Sequence, residues 1–317
     1  MTHPLPDRLT AQGPYDEFAY FADHASEFGL PFAEPPTVRR ESVALGADRS
    51  LSALVWGDAT PEVVLVHGGA QNAHTWDTVA LALERPLLAV DLPGHGHSDA
   101  PSDTSRDGRV PSMADDVATA IRALAPDAAA VVGMSLGGMT SIALAERHRE
   151  LVRRLVLVDI TPGVTGAKAK AITDFVRGPA TFPSFEELLA RTIEHNPTRT
   201  ESSLRRGILH NAEQLDDGSW RWRYRRHDAP VIEDQIDEPS DEEQAASRAR
   251  GWDRLAAVTA PVMLVRGMRP QSVVDDADEA ELRRRLPAAR IEHVDAGHSV
   301  QGDRPVELAA LIADFTR

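Results

Sequence analysis

Short runs of Val, Leu and Ala, each four or five residues long, constrain this chain more than any other feature. They lie at Val63–Val66, Leu87–Val90, 128–132, Leu155–Val158 and 262–265. Each is too short for a buried helix and has no alternating polar positions, so each suits a strand buried on both faces. Helical patterns separate them. Ser112-Met113-Ala114-Asp115 reads as a capping box ahead of Val117, Ile121 and Leu124. A last helix begins near Asp303 to Pro305 and places Leu308, Leu311, Ile312 and Phe315 at i, i+3, i+4 and i+7. Strands alternating with helices require a mostly parallel sheet covered on both sides. Runs 38–45 and 51–56 read as an opening pair of strands, and Arg290–Val294 as the last strand.

The alternation breaks between about 163 and 250. Ser184-Phe185-Glu186-Glu187 reads as a second capping box, leading into Leu188, Leu189 and Ile193, and a further helical segment carries Leu204, Ile208 and Leu209. Beyond the Asp217-Gly218 turn signal, Trp220, Trp222 and Tyr224 alternate with Arg221, Arg223 and Arg225, the pattern of one strand with an aromatic and a basic face. The acidic stretch from Glu233 to Glu243 reads as a solvated linker or helix face that the arginines, Arg226 included, would pair with. The expected organisation is an N-terminal arm at 1–37, a core at 38–162 and 251–317, and an inserted lid at 163–250. Aromatic residues Phe175, Phe182, Phe185, Trp220 and Trp222 are expected mostly to pack the lid onto the sheet, with some facing the pocket.

Composition excludes several function classes. The chain has 317 residues and no cysteine, which rules out disulfides, thiolate metal sites and a thiol nucleophile. A net charge of −15 opposes binding to nucleic acid or an anionic membrane, because both need clustered Lys and Arg. No run approaches the roughly eighteen apolar residues of a membrane span. The first eleven residues are polar, without a basic start and an apolar run, so no signal peptide is read and a cytoplasmic location is expected. The expected partner is a small-molecule substrate.

Gly133-Met134-Ser135-Leu136-Gly137 matches G-x-S-x-G between a strand and a helical pattern. That context places a serine hydroxyl on a tight turn at the rim of a sheet, above a helix N-terminus that favours negative charge. The strand Val63–Val66 runs into His67-Gly68-Gly69-Ala70. A backbone N–H at such a strand end can stabilise a transition-state oxyanion; Gly69 is the expected donor, Ala70 the fallback and Leu136 the second donor. His67 is read as bracing the loop. Among twelve histidines, His298 in Asp295-Ala296-Gly297-His298-Ser299 follows the last strand and reaches the same rim, as a general base must. His293, inside that strand, is read as structural.

With Ser135, the His67-Gly68 loop and His298 in this order, the chain resembles the α/β-hydrolase superfamily from about 38 to 317. Asp91-Leu92-Pro93-Gly94-His95-Gly96-His97-Ser98 matches the D-x-P-G-x-G-x-S loop of such enzymes. The resemblance implies the α/β-hydrolase fold, a mostly parallel central sheet flanked by helices with an inserted, mainly helical lid. It also implies a cofactor-free serine hydrolase that cleaves a small carboxylic ester, thioester or lactone through an acyl-enzyme on Ser135. C–C bond hydrolysis of a ring-cleavage product, acyl transfer and a non-catalytic ligand-binding receptor are the alternatives. Fold alone does not choose among these.

The pattern departs at the acid that orients the base. Many relatives place an Asp three residues beyond a Gly after the strand that follows the lid; here Gly267 leads to Pro270. Asp159, at the end of Leu155–Val158, is the expected replacement; Asp275 or another carboxylate is the alternative. His95, His97 and Asp99 also fit H-x-H-x-D, part of a zinc signature, but Ala100 stands where its next histidine belongs.

Overall fold

The computed structural model describes residues 15–46, 48–105, 107–225 and 240–317. An eight-stranded sheet runs in the order β1-β2-β4-β3-β5-β6-β10-β11. Its strands are β1 (Val38–Gly46), β2 (Arg49–Trp56), β3 (Val63–Val66), β4 (Leu87–Val90), β5 (Ala130–Met134), β6 (Leu155–Val158), β10 (Val262–Gly267) and β11 (Arg290–Val294). β1 and β2 pair antiparallel, as does β2 with β4; every pairing from β4 to β11 is parallel.

The short runs are strands for the reason their composition gives. Val64 and Val66 of β3 point into one core, shared with Leu155 and Leu157 of β6; Val63, Leu65, Val156 and Val158 point into the other. Helices α3 (Arg109–Leu124), α4 (Leu136–Arg147), α8 (Asp241–Ala256) and α9 (Asp276–Arg285) supply Val117, Ile142, Leu255 and Leu282 to the first core. On the other face lie α1 (Phe21–Phe28), α2 (Asp77–Leu83), the single turn α10 (Val300–Asp303) and α11 (Pro305–Phe315), through Phe21, Val79, Val300 and Leu308. Burying such side chains contributes about 1.5–3 kcal/mol each.

Between β6 and β10 the chain forms α5 (Lys170–Val176), β7 (Thr181–Phe182), α6 (Phe185–His195), α7 (Glu201–Asn211), β8 (Ala212–Gln214) and β9 (Trp220–Trp222) before entering α8. A three-stranded sheet, β7-β9-β8, joins these helices around a separate small core of Phe182, Leu188, Leu204, Ile208 and Trp222. Most of the aromatics therefore pack on one another rather than on the large sheet: Phe185 meets Trp220 edge-on and Trp222 meets Phe182 edge-on.

Other expectations need correction. α3 begins at Arg109, so Ser112 lies inside the first turn and its hydroxyl donates back to the Arg109 carbonyl. Pro111 occupies that first turn, where its missing N–H costs nothing. At Ser184 the cap does form, the hydroxyl accepting from the Glu187 N–H. The strand expected over 220–224 stops at Trp222, where a 3₁₀ turn takes over. Arg221 and Arg223 pair with Glu213 on the neighbouring strand; Arg226 and most of the acidic stretch lie outside the described residues. α8 runs unbroken through the boundary expected at 250.

Candidate active site

Ser135 stands between β5 and α4 at φ 52°, ψ −120°. A serine in this region costs about 1–3 kcal/mol, a strain held by tight packing of the turn. Strand end and helix start touch: a Cβ on Gly133 would lie 2.5 Å from the Gly137 carbonyl oxygen, and one on Gly137 would lie 2.2 Å from that of Val66. No side chain fits at either place, which is why both motif positions are glycine.

His298 sits on the loop after β11. Backbone bonds from Met268 to the Val294 carbonyl and from Arg269 to that of Ala296, each 2.9 Å, fix this loop against the end of β10. The Gly297 N–H donates to Asp303 Oδ2 at 2.8 Å. The imidazole is only 8% exposed. Its Nδ1 meets Asp159 Oδ2 at 3.0 Å.

Asp159 is fully buried at the end of β6, itself at φ 45°. Its carboxylate collects three further donors. Oδ1 accepts from the Gly267 N–H (2.9 Å) and the Ser272 hydroxyl (2.6 Å), and Oδ2 accepts from the Val273 N–H (3.1 Å). A buried carboxylate requires such satisfaction. Asp275 is committed elsewhere: it caps α9, accepting from the Asp278 N–H, and pairs with Lys168 at 2.7 Å. Ser272 escaped the sequence reading. It lies two residues past the Pro270 position and donates to Asp159 from the neighbouring loop.

Ser135 and His298 line one cavity of about 300 Å³ together with Gly68, Gly69 and Ala70. Gly69 adjoins Leu136, since a Cβ there would sit 3.9 Å from the Leu136 Cδ2. The Gly68 N–H is taken by Gln71 Oε1 at 3.0 Å, whereas the Gly69 and Leu136 N–H groups have no protein acceptor among the described residues. His67 Nδ1 donates to the Gly68 carbonyl (2.7 Å) and its Nε2 accepts from the Leu92 N–H (2.9 Å). That is one neutral tautomer fastening the glycine loop to the β4 loop. His293 pairs with Glu279 at the surface.

The residues of the zinc-like pattern help to hold the β4 loop and join it to β2. His95 Nδ1 donates to the Pro93 carbonyl, the His97 N–H donates to Asp91, and Asp99 accepts from the Ser50 N–H. Burial, with a smaller contribution from nearby His67, lowers the His95 pKa from 6.5 to about 3. Below about pH 6.5 the unfolded chain then gains a proton that the folded chain refuses until about pH 3, so stability falls as pH drops through that window. Urea titrations should show this slope between about pH 4 and 6, and His95→Gln should make it shallower by the share of one proton.

A family model for the alpha/beta hydrolase fold matches residues 61–305. The chain belongs to that family. The hydrolase is 42% identical over 314 residues to the esterase Rv0045c of Mycobacterium tuberculosis, covering 96% of both chains. It matches the crystal structure of that esterase with a TM-score of 0.78, over 96% of this chain and 99% of the other. A second structure of the same esterase, from work on its transition metal inhibition, gives 0.77. A 3-hydroxybutyrate-oligomer hydrolase of Cupriavidus necator is 28% identical over 272 residues, 82% of this chain and 91% of that one. With a named esterase this similar along nearly its whole length, the hydrolase is an enzyme of the carboxylic ester hydrolase kind. No helix among the described residues is long and apolar enough to cross a membrane.

Proposed function

We propose that the hydrolase cleaves a small carboxylic ester, thioester or lactone through an acyl-enzyme on Ser135. The observation that carries this reading is the buried Asp159–His298 hydrogen bond of 3.0 Å beside the cavity that Ser135 lines. In the proposed cycle His298 Nε2 takes the Ser135 proton as Oγ attacks the carbonyl carbon. Asp159 holds Nδ1–H, which keeps the Nε2 lone pair toward the serine and stabilises the imidazolium. The Gly69 and Leu136 N–H groups receive the developing oxyanion. His298 then protonates the leaving group, and water, deprotonated by the same imidazole, releases the acid.

The cavity supports a small substrate, since about 300 Å³ is the lower end of the range for ligand pockets. Ile172, Phe175 and Val176 of α5 border it, so the segment at 163–250 would act as the lid and set acyl-chain preference. The Lys168 charge, already matched by Asp275 and Asp278, adds no free cation there.

A fluorophosphonate probe and a series of aryl esters of increasing acyl length test the proposal. Expected are covalent labelling of Ser135, located by peptide mass, and turnover that favours short chains. Labelling elsewhere, or no ester turnover by a labelled enzyme, would overturn it, the latter in favour of C–C bond hydrolysis or a receptor role.

A further inference from the structure

We propose that His24, Asp77 and His210 form a binding site for one divalent transition-metal ion, which fastens α1 and α7 to the core at α2. One ligand atom from each residue lies within 4.8 Å of the other two. The Nε2 atoms of His24 and His210 are each 3.9 Å from Asp77 Oδ2. A tetrahedral zinc ion with bonds near 2.0–2.1 Å separates its ligands by about 3.3–3.5 Å, so closing the site takes about half an ångström on each His–Asp edge and at most about 1.4 Å between the two imidazoles.

The decisive feature is unmet bonding capacity. His24 Nε2, His210 Nε2 and Asp77 Oδ1 are all buried without a hydrogen-bond partner. Buried polar atoms in folded proteins are nearly always paired, and the two orphaned ring nitrogens, each 3.9 Å from Asp77 Oδ2, call for a shared partner. The outer ring nitrogens say which partner. His24 Nδ1 meets the Thr78 hydroxyl at 2.9 Å, and His210 Nδ1 meets the Tyr15 hydroxyl at 2.6 Å. Both hydroxyls can accept, so both rings can carry their proton on Nδ1 and turn Nε2 lone pairs inward. That is how a hydrogen bond on the far nitrogen prepares a histidine to ligate. Two lone pairs and a carboxylate oxygen then converge with no donor between them, an arrangement suited to a cation.

Charge around the site selects the ion. His74 stacks on His210 at 3.9 Å, and its Nδ1 meets the same Asp77 Oδ2 at 2.9 Å. Both of its ring nitrogens are taken, by Asp77 and by Glu17, so it is a neighbour of the site rather than a ligand. Arg40 and Arg206 add positive charge, and Glu17 and Glu27 oppose it. Two neutral nitrogens and one carboxylate in this balance suit zinc, cobalt or nickel, and are poor for the oxygen-seeking magnesium and calcium. His24 and His210 also line a cavity of about 160 Å³, which gives the ion an entrance and room for a water ligand.

The position bears on the proposed chemistry. Asn72 Nδ2 donates to the His210 carbonyl at 2.9 Å, and the next residue, Asn211, donates from Nδ2 to the Ala70 carbonyl at 2.5 Å. Ala70 follows Gly69 at φ 61°. An ion that draws His210 toward Asp77 therefore acts on the same short segment that carries the glycine loop.

The test is a titration of chelator-treated protein with zinc by calorimetry, and with cobalt by its absorption bands, on wild type and three variants. One equivalent should bind wild type and His298→Gln alike, with histidine-type cobalt bands in both. His24→Gln and His210→Gln should each weaken binding at least about tenfold, and zinc should raise the thermal midpoint of wild type but not of these two. Binding lost only in His298→Gln would put the ion on the catalytic histidine and overturn the proposal. Absence of binding to wild type would overturn it too, leaving water as the shared partner. Should either buried-histidine variant fail to fold, anomalous diffraction from a zinc-soaked wild-type crystal decides: a peak among the three side chains supports the site, and its absence there refutes it.

Discussion

Ser135→Ala should lower kcat on an activated aryl ester by about six orders of magnitude, while the thermal midpoint stays within a degree or two of wild type. The two halves of this expectation have separate grounds. Among the described residues the Ser135 hydroxyl holds no other side chain in place, so its removal leaves no buried partner unsatisfied. Alanine has the same Cβ and meets the same strain at φ 52°, so the turn has no reason to change. Activity, in contrast, depends in the proposed cycle on an oxygen that becomes covalently bonded. Without it the oxyanion donors and the cavity can still bind ester, and they would leave only the small residual catalysis such groups supply alone. Stopped-flow traces should lose any burst of released phenol. A variant that retained more than about a hundredth of wild-type turnover would mean another nucleophile or direct attack by water.

How far the sequence carried this reading depended on whether a signal was local. Val63–Val66, Leu87–Val90 and Leu155–Val158 coincide with strands to the residue, because a parallel strand buried on both faces must be apolar throughout and is bounded by polar residues. Where apolar residues overflowed the element the edge slipped: Ala128 and Ala129 precede β5, which starts at Ala130. Ser135 and His298 were legible because each lies in a compact motif at a strand end. Asp159 was reached only because Pro270 stands at the usual position, and nothing local said that Gly267, Ser272 and Val273 would supply its donors. The trio His24, Asp77 and His210 was not legible at all. Its members come from the arm, from α2 and from α7, share no spacing, and meet only because α7 folds back over the arm. The misplaced cap at Ser112 has a simpler cause: Pro111 is itself a mark of a first helical turn, and the capping-box pattern drew the start four residues too late, the cap being Gly108.

Asp159→Asn should lower kcat by about four orders of magnitude and Asp275→Asn should leave it within about twofold of wild type. The carboxylate of Asp159 faces donors on both oxygens, and that makes the outcome easy to reason through. With the new NH₂ at the Oδ2 position, it opposes the Val273 N–H and His298 Nδ1. The imidazole can answer only by moving its proton to Nε2, which then points a hydrogen at Ser135 and cannot serve as base. With the NH₂ at the Oδ1 position it opposes the Gly267 N–H, while the Ser272 hydroxyl can turn to accept. The tautomer is then retained, but the negative charge that stabilises the imidazolium in the transition state is gone. Either placement leaves a buried N–H unpaired, so a stability loss of about 1–3 kcal/mol should accompany the kinetic one. Asp275 tests the alternative under gentler conditions, because asparagine is as good a helix N-cap as aspartate and should keep α9 in place without its bond to Lys168. The informative quantity is the split between constants. Loss in kcat with KM little changed marks an interaction made in the transition state, whereas a collapsed pocket would raise KM as well. Near-wild-type kcat in Asp159→Asn, with the loss appearing in Asp275→Asn instead, would mean that the 3.0 Å contact between Asp159 and His298 does not operate in catalysis.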